Sequence, residues 1–346
     1  MSRLLFFSQI VLPILSVTAS SSEVKEPTCR DSDGYRVCHY KGVLVEVTQH
    51  RFEDRLDVSD LDLLAIRENA FKNVSATHLY LNTGNRISVL KRESFRGLPK
   101  LERLHLDSNA VSLSGHLFAE LKHLQSLSLI FNKINSVPKD SFAGLSSLTW
   151  LYLGHNDIEA IEAESFSNLN PELPYLWLND NKIVRVASGA FAGLTGLSRL
   201  HLDHNRLEGL PDGAFRGSSM LEDLYLNDNR ITSVSRALLR DLPGLKRLYL
   251  QRNEISTLEP GTFQELSQLE VLRLDGNKLS RIVVGTFAGL SNLEDIKLSD
   301  NNIRAVDNGA FADCVKLEYL YFGGNNYSDI AKKIASLPHA TLITTF

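Results

Sequence analysis

Apolar and polar positions alternate along this chain in a phrase that keeps returning. Leu200 and Leu202 flank His201, the polar run Asp203-His204-Asn205 follows, and Leu207, Phe215 and Leu221 complete the phrase. Leucines two apart put both side chains on one face of a short strand, while the residue between them faces the other way. The leucine face must be core. The asparagine closing each phrase holds one register through Asn85, Asn109, Asn132, Asn156, Asn181, Asn205, Asn229, Asn253, Asn277, Asn301 and Asn325, with steps of 24 except for one 23 and one 25. A period of this length specifies stacked units that cover one another's apolar faces. The 346 residues therefore predict one solenoid, not two globular domains.

Each asparagine stands where a strand ends and the backbone loses its sheet partners. A buried amide offers two donors and an acceptor, enough to serve the turn of its own coil and part of the next. A second file confirms the register: Phe71, Phe95, Phe118, Phe142, Phe166, Phe191, Phe215, Phe263, Phe287 and Phe311, with Leu239 in the gap. In most repeats a leucine follows three positions later, as in Phe142 to Leu145, a spacing suited to a helical turn. This file is expected to form the spine of the outer side.

The phrase Leu269-Glu270-Val271-Leu272-Arg273-Leu274-Asp275-Gly276-Asn277-Lys278-Leu279, continued through Phe287 and Leu290, resembles the extracellular type of leucine-rich repeat found in matrix proteoglycans, Slit-like guidance proteins and Toll-like ectodomains. The resemblance covers about residues 56–346. It implies an α/β solenoid: a leucine-rich-repeat horseshoe with a parallel concave β-sheet and an irregular or short-helical convex side, in about 11–12 coils. Strands ~4.8 Å apart would make the inner sheet on the order of 50 Å long, a surface for a protein and not for a metabolite. Function has to be argued from the site, because one fold hosts many binding tasks.

The ends change the picture. Residues 1–19 carry one Arg, an apolar run from Leu4 to Val17 and small residues at Val17-Thr18-Ala19, the make-up of a secretory signal peptide cleaved near Ala19. No later run reaches the length of a membrane helix, so a secreted, extracellular product without membrane insertion is expected. Residues 20–55 read as an N-terminal cap, with Cys29 and Cys38 facing each other as a disulfide across the hairpin signal Asp33-Gly34. Against the family's usual four-cysteine N-terminal cap this one is expected to be reduced, and no cysteine-rich C-terminal cap is expected. Ile330, Ile334, Leu337, Ala340 and Ile343 continue the spacing into part of a further coil, and 340–346 should end as an edge strand, a candidate for homodimerisation. Cys314 occupies a leucine slot and should be a small core residue. Sequons at Asn73 and Asn326 mark expected glycosylation sites outside the inner face.

The residues between the paired leucines define that inner face. Coil by coil they and their neighbours place Phe131, Trp150, Tyr152, Tyr175, Trp177, His201, Tyr225, Tyr249, Arg252 and Arg273 on one side. Both tryptophans of the chain are among them. A band of Trp, Tyr and Arg is the composition of an interface hot spot, which makes these ten the expected partner-binding residues. The competing explanation is that the rings stack on one another and stiffen the sheet. Acids at Asp107, Asp180, Asp203, Asp223, Asp228, Asp275, Asp295 and Asp300 alternate with Arg103, Arg199, Arg247, Arg252, Arg273 and Lys297, so no basic stripe invites nucleic acid. The nearest approach to a catalytic or zinc set is His155, His201 and His204 with Asp180 and Asp203. His155 stands two coils from the others, with no nucleophile–base pair and no metal signature. We therefore expect no enzyme, no cofactor and no metal, but a secreted protein that binds an extracellular protein by its concave face. A matrix structural component and a non-catalytic subunit or inhibitor of a secreted enzyme are the alternatives.

Overall fold

Why the repeated phrase folds into a coil is visible in the computed structural model, which describes residues 26–326, 330, 332 and 340–343. The signal-peptide reading of residues 1–19 and the positions Ile334 and Leu337 lie outside the described residues. Three-residue strands, from Arg55–Asp57 through Trp150–Tyr152, Tyr175–Trp177 and Arg199–His201 to Thr341–Ile343, form a 13-stranded sheet in which neighbours in space are neighbours in sequence. Each pair is parallel, and the central leucines stay in register: Leu151 with Leu176, Leu176 with Leu200, Leu200 with Leu224. These leucines and their partners two positions on are buried in one continuous core that runs the length of the stack. The last strand, Thr341–Ile343, pairs with Tyr319–Tyr321 at the sheet's edge, where the extra coil was expected.

The asparagine ladder has a direction that the sequence did not reveal. Asn205 Nδ2 donates to the carbonyls of Leu202 and Asp203 in its own turn, at 3.0 and 3.1 Å, and to Leu178 O of the preceding coil at 2.9 Å. Its Oδ1 accepts the Ile183 amide, also of the preceding coil, at 3.0 Å. The same set recurs at Asn229 and Asn277. The amide thus ties each coil to the one before it, not to the next, because past the strand end it is the earlier coil's Leu carbonyl and Ile amide that lack a ladder partner.

On the outer side the phenylalanine rings are buried and stack at centroid separations of 5.9 Å (Phe95 on Phe118), 6.1 Å (Phe191 on Phe215) and 6.3 Å (Phe263 on Phe287). The leucine three residues on closes a single turn back to the phenylalanine carbonyl, as Leu121 N does to Phe118 O at 2.9 Å. Most of these turns go no further, so the convex side is largely irregular, with short helices at Arg92–Phe95 and Arg236–Leu239. The second of these carries Leu239, which replaces the ring of the file. Glycine two positions after Phe95 and Phe287 lets neighbouring coils close up: a Cβ on Gly97 would collide with Phe71 O, and one on Gly289 would stand 2.6 Å from Gln264 O.

The N-terminal end is an antiparallel meander of Thr28–Ser32, Tyr35–Tyr40 and Val43–Gln49. Cys29 stands opposite Cys38 and the two form a disulfide. Tyr35, Val37, Leu44 and Val47 join the repeat core, which is how the meander covers the first coil's apolar end. Arg30 Nη2 donates to Ser59 O at 2.9 Å, beside the end of the first long-sheet strand. Cys314 is fully buried in its leucine slot. Burial, with a smaller contribution from Asp313, pushes its thiol up to about 12.

Candidate functional site

Because the central residue of each strand is buried, the residues beside it are forced outward, and parallel in-register pairing lines them up in columns. One column carries Tyr152, Trp177, His201, Tyr225 and Tyr249. Their rings stack in sequence, with centroids 4.3, 5.7, 4.0 and 4.4 Å apart. A second column brings Trp150 over Tyr175 at 6.0 Å, with the Arg199 guanidinium 5.9 Å above the Tyr175 ring. The rings are therefore half-buried against each other, not free in solvent as the alternation alone suggests. Burial, reinforced by Tyr249 and Asp223 and partly offset by Arg199, pushes the Tyr225 hydroxyl up to about 12. Burial also raises Tyr152, against an opposing effect of the Arg103 charge.

A third file runs along the residue just before each ladder asparagine. Its members hold left-handed backbone: Phe131 at φ 57°, His155 at 53°, Asp180 at 51°, His204 at 53°, Asp228 at 56° and Arg252 at 53°. Glycine or a small polar residue is the ordinary occupant of that conformation, and a bulky ring there is strained. Phe131 is nonetheless 56% exposed and stacks on His155 at 4.5 Å.

Most of the charges on this face neutralise each other. Asp223, only 2% exposed, lies between Arg199 (2.8 Å) and Arg247, whose Nη2 reaches its Oδ2 at 3.0 Å. Arg252 meets Asp228 at 2.7 Å and Arg273 meets Asp295 at 2.7 Å. Burial works to raise the Asp228 carboxyl, but hydrogen bonds from Arg252 and Asn227, with the nearby His204 and Arg252 charges, hold it below its ordinary value. The histidines go to separate acids: His201 Nδ1 to Asp203 at 3.1 Å, His204 Nε2 to Asp228 at 3.5 Å and His155 Nε2 to Asp180 at 3.6 Å. Among the described residues no three His, Cys, Asp or Glu side chains are grouped to hold a metal ion.

The structure therefore brings Tyr152, Trp177, His201, Tyr225 and Tyr249 together, continues their column into Arg273 across the Tyr249–Arg273 register, and sets Trp150 and Tyr175 alongside. Phe131 and Arg252 belong to the third file, five coils apart. Sequence reasoning overlooked Ser126 and Ser128, which interrupt the first two columns beside Trp150 and Tyr152. The signal was available as two small residues in a row of large ones. Asn73 and Asn326 are both exposed, Asn73 just after the outer strand Phe71–Lys72 and Asn326 just after the last ladder asparagine. Among the described residues no helix is long and apolar enough to cross a membrane.

Comparisons with known proteins agree with this geometry. Rat (Rattus norvegicus) lumican is 36% identical over 102 residues, 28% of this chain and 29% of lumican. A probable glycoprotein hormone G-protein coupled receptor of Anthopleura elegantissima is 29% identical over 147 residues, 39% of this chain and 16% of the receptor. The chain thus spans less than a third of the length of either relative. Among solved structures, TLR13 in complex with ssRNA13 superposes with a TM-score of 0.78 at 27% identity, over 84% of this chain and 43% of that one. The family model described as leucine rich repeat matches residues 108–158, 151–207, 171–231, 195–252, 219–279 and 267–326, so that it covers 108–326 without a break, and this chain belongs to the leucine-rich repeat family.

Proposed function

We propose that this is a secreted protein that recognises an extracellular protein partner through the inner face between Phe131 and Arg273. The observation carrying the reading is Phe131, a large exposed ring held on left-handed backbone beside a continuous run of half-exposed aromatics. Strain and solvent-exposed apolar surface both cost stability, and a binding role gives a reason to keep them. Stacking accounts for the rings of the column; Phe131 also stacks, on His155, but stacking does not account for its 56% exposure on left-handed backbone. The Cys29–Cys38 disulfide supports an oxidising destination. The TLR13 neighbour is in complex with an RNA, but the paired arginines here support a protein partner instead. Among the described residues Thr341–Ile343 is the edge strand of the long sheet, which supports homodimerisation there.

The test uses the full-length protein as bait in the extracellular fluid of its source, with partners identified by mass spectrometry and affinity then measured for Trp177→Ala. Loss of a central aromatic anchor should weaken binding by about 2 kcal/mol or more. Trp177 also stacks on Tyr152 and His201, so its removal should lower stability by only about 0.5–1.5 kcal/mol per stacked pair. Lost stability with unchanged affinity would leave stacking as the whole role of the column. Retention on collagen or cell-free matrix would point to the matrix alternative, and co-purification with one enzyme in fixed stoichiometry to the subunit alternative.

A further inference from the structure

One strand breaks the aromatic columns. On Ser126–Ser128 both outward positions are serine, with Arg103 and His105 in register on one side and Trp150 and Tyr152 in register on the other. The result is a depression of about 330 Å³ lined by Arg103, His105, Ser126, Ser128, Trp150 and Tyr152 together with Ile130. Rings on adjacent strands of this sheet stack, Tyr80 on His105 at 4.7 Å and Tyr152 on Trp177 at 4.3 Å. His105 and Tyr152 are two strands apart, roughly 9.6 Å at the usual strand spacing. That gap is the thickness of one missing ring. Ser128 does not fill it: it is 5% exposed, and its hydroxyl is turned down to donate to the Asp107 carboxylate.

Among the described residues the slot also carries a cation with no partner of its own, since its nearby acid, Asp107, is engaged by Ser128 and His105. Of the five arginines on the long sheet's strands, Arg55 pairs with Asp57, Arg199 and Arg247 with Asp223, and Arg273 with Asp295. Arg103, exposed at the slot's rim, has no hydrogen-bonded or ion-paired carboxylate among the described residues. A guanidinium in that position suits an acid carried beside an entering ring.

Resting on the reading of this face as protein-binding, we propose that the slot over Ser126 and Ser128 takes an aromatic side chain of the partner, stacked between His105 and Tyr152, with an adjacent carboxylate of the same partner on Arg103. The partner ring would complete the column from Tyr80 to Tyr249, making the inner face continuous only in the complex.

The probes are acetyl-Glu-Tyr-amide, acetyl-Glu-Leu-amide and acetyl-Gln-Tyr-amide, titrated against the full-length protein by saturation-transfer NMR. The Glu-Tyr probe should bind about tenfold more tightly than Glu-Leu, the difference two ring faces make. Arg103→Ala should cost it about threefold while leaving Gln-Tyr unchanged, as expected for one exposed ion pair. Ser126→Trp and Ser128→Tyr, two independent ways of filling the slot, should each abolish the preference for Tyr, with circular dichroism confirming the native fold; Ser126 has no bond to Asp107 to lose. Equal binding of Tyr and Leu probes, or an undiminished preference in a folded filled variant, would overturn the proposal. Tighter binding of uridine monophosphate than of Glu-Tyr would overturn it too, in favour of a nucleobase. These measurements need no partner, so they can fail while Trp177→Ala still weakens partner binding, or succeed while it does not.

Discussion

At the scale of single residues the ladder asparagines carry the largest consequence, because each satisfies backbone groups in two coils. Asn205→Ala removes an amide bonded to four backbone groups, leaving buried donors and acceptors unpaired at about 1–3 kcal/mol each. A side chain on the outer surface such as Val284, 58% exposed, should tolerate Val284→Ala within about 0.5 kcal/mol. Urea unfolding of the two variants checks this, and equal midpoints would contradict the ladder. Cys314 gives a second residue-scale expectation. Its thiol, pushed up to about 12 by burial, stays neutral and closed to reagents in the folded protein, so iodoacetamide should label it at pH 8 only after denaturation. Since the folded value is raised, the associated stability is fully present below the ordinary thiol value of 9.0 and is lost as the pH rises towards 12. Rapid native labelling would refute this.

At the scale of elements, the meander and the phenylalanine spine do different work. The disulfide closes a loop between cysteines nine apart in sequence, for which chain entropy predicts about 2–3 kcal/mol. In a stack where each coil touches only its neighbours, Cys29→Ser/Cys38→Ser should therefore weaken the first coils more than the last. Hydrogen exchange followed by mass spectrometry should show faster exchange around Leu56 and Leu79 and little change around Leu272; uniform destabilisation would argue against quasi-one-dimensional coupling. Phe215→Ala, which deletes a buried ring stacked on Phe191, should cost about 3–5 kcal/mol in the unfolding free energy. The phenylalanine file was legible because a large apolar residue recurred at a fixed offset. Its turns are nearly all single ones, since the chain must return to the sheet within the same 24-residue period.

For the whole molecule, the separation of faces matters most. Asn73 and Asn326 stand off the aromatic columns, so Asn73→Gln and Asn326→Gln should leave the affinity for a captured partner within twofold, about 0.4 kcal/mol, by surface plasmon resonance. A larger loss from either variant would move the binding surface away from the inner face. The arginines of the sheet belong to this scale as well. Read singly they look like free hot-spot cations, yet Arg199 and Arg247 converge on one buried Asp223, a partnership set by neighbouring strands 24 residues apart in sequence.

The sequence by itself determined the solenoid, the register of every coil, the inward leucines, the asparagine ladder's existence and the pairing of Cys29 with Cys38. Each of these depends on a spacing, and spacing survives in one dimension. Tertiary structure alone decided which neighbour each asparagine ties to, that the rings from Tyr152 to Tyr249 stack while Phe131, on strained backbone, stacks on His155 in a separate file, which arginines are neutralised, and that two serines open a slot one ring wide. Those outcomes depend on the distance and angle between coils, and side-chain planes, ion pairs and gaps between strands come into being only when one coil is laid against the next.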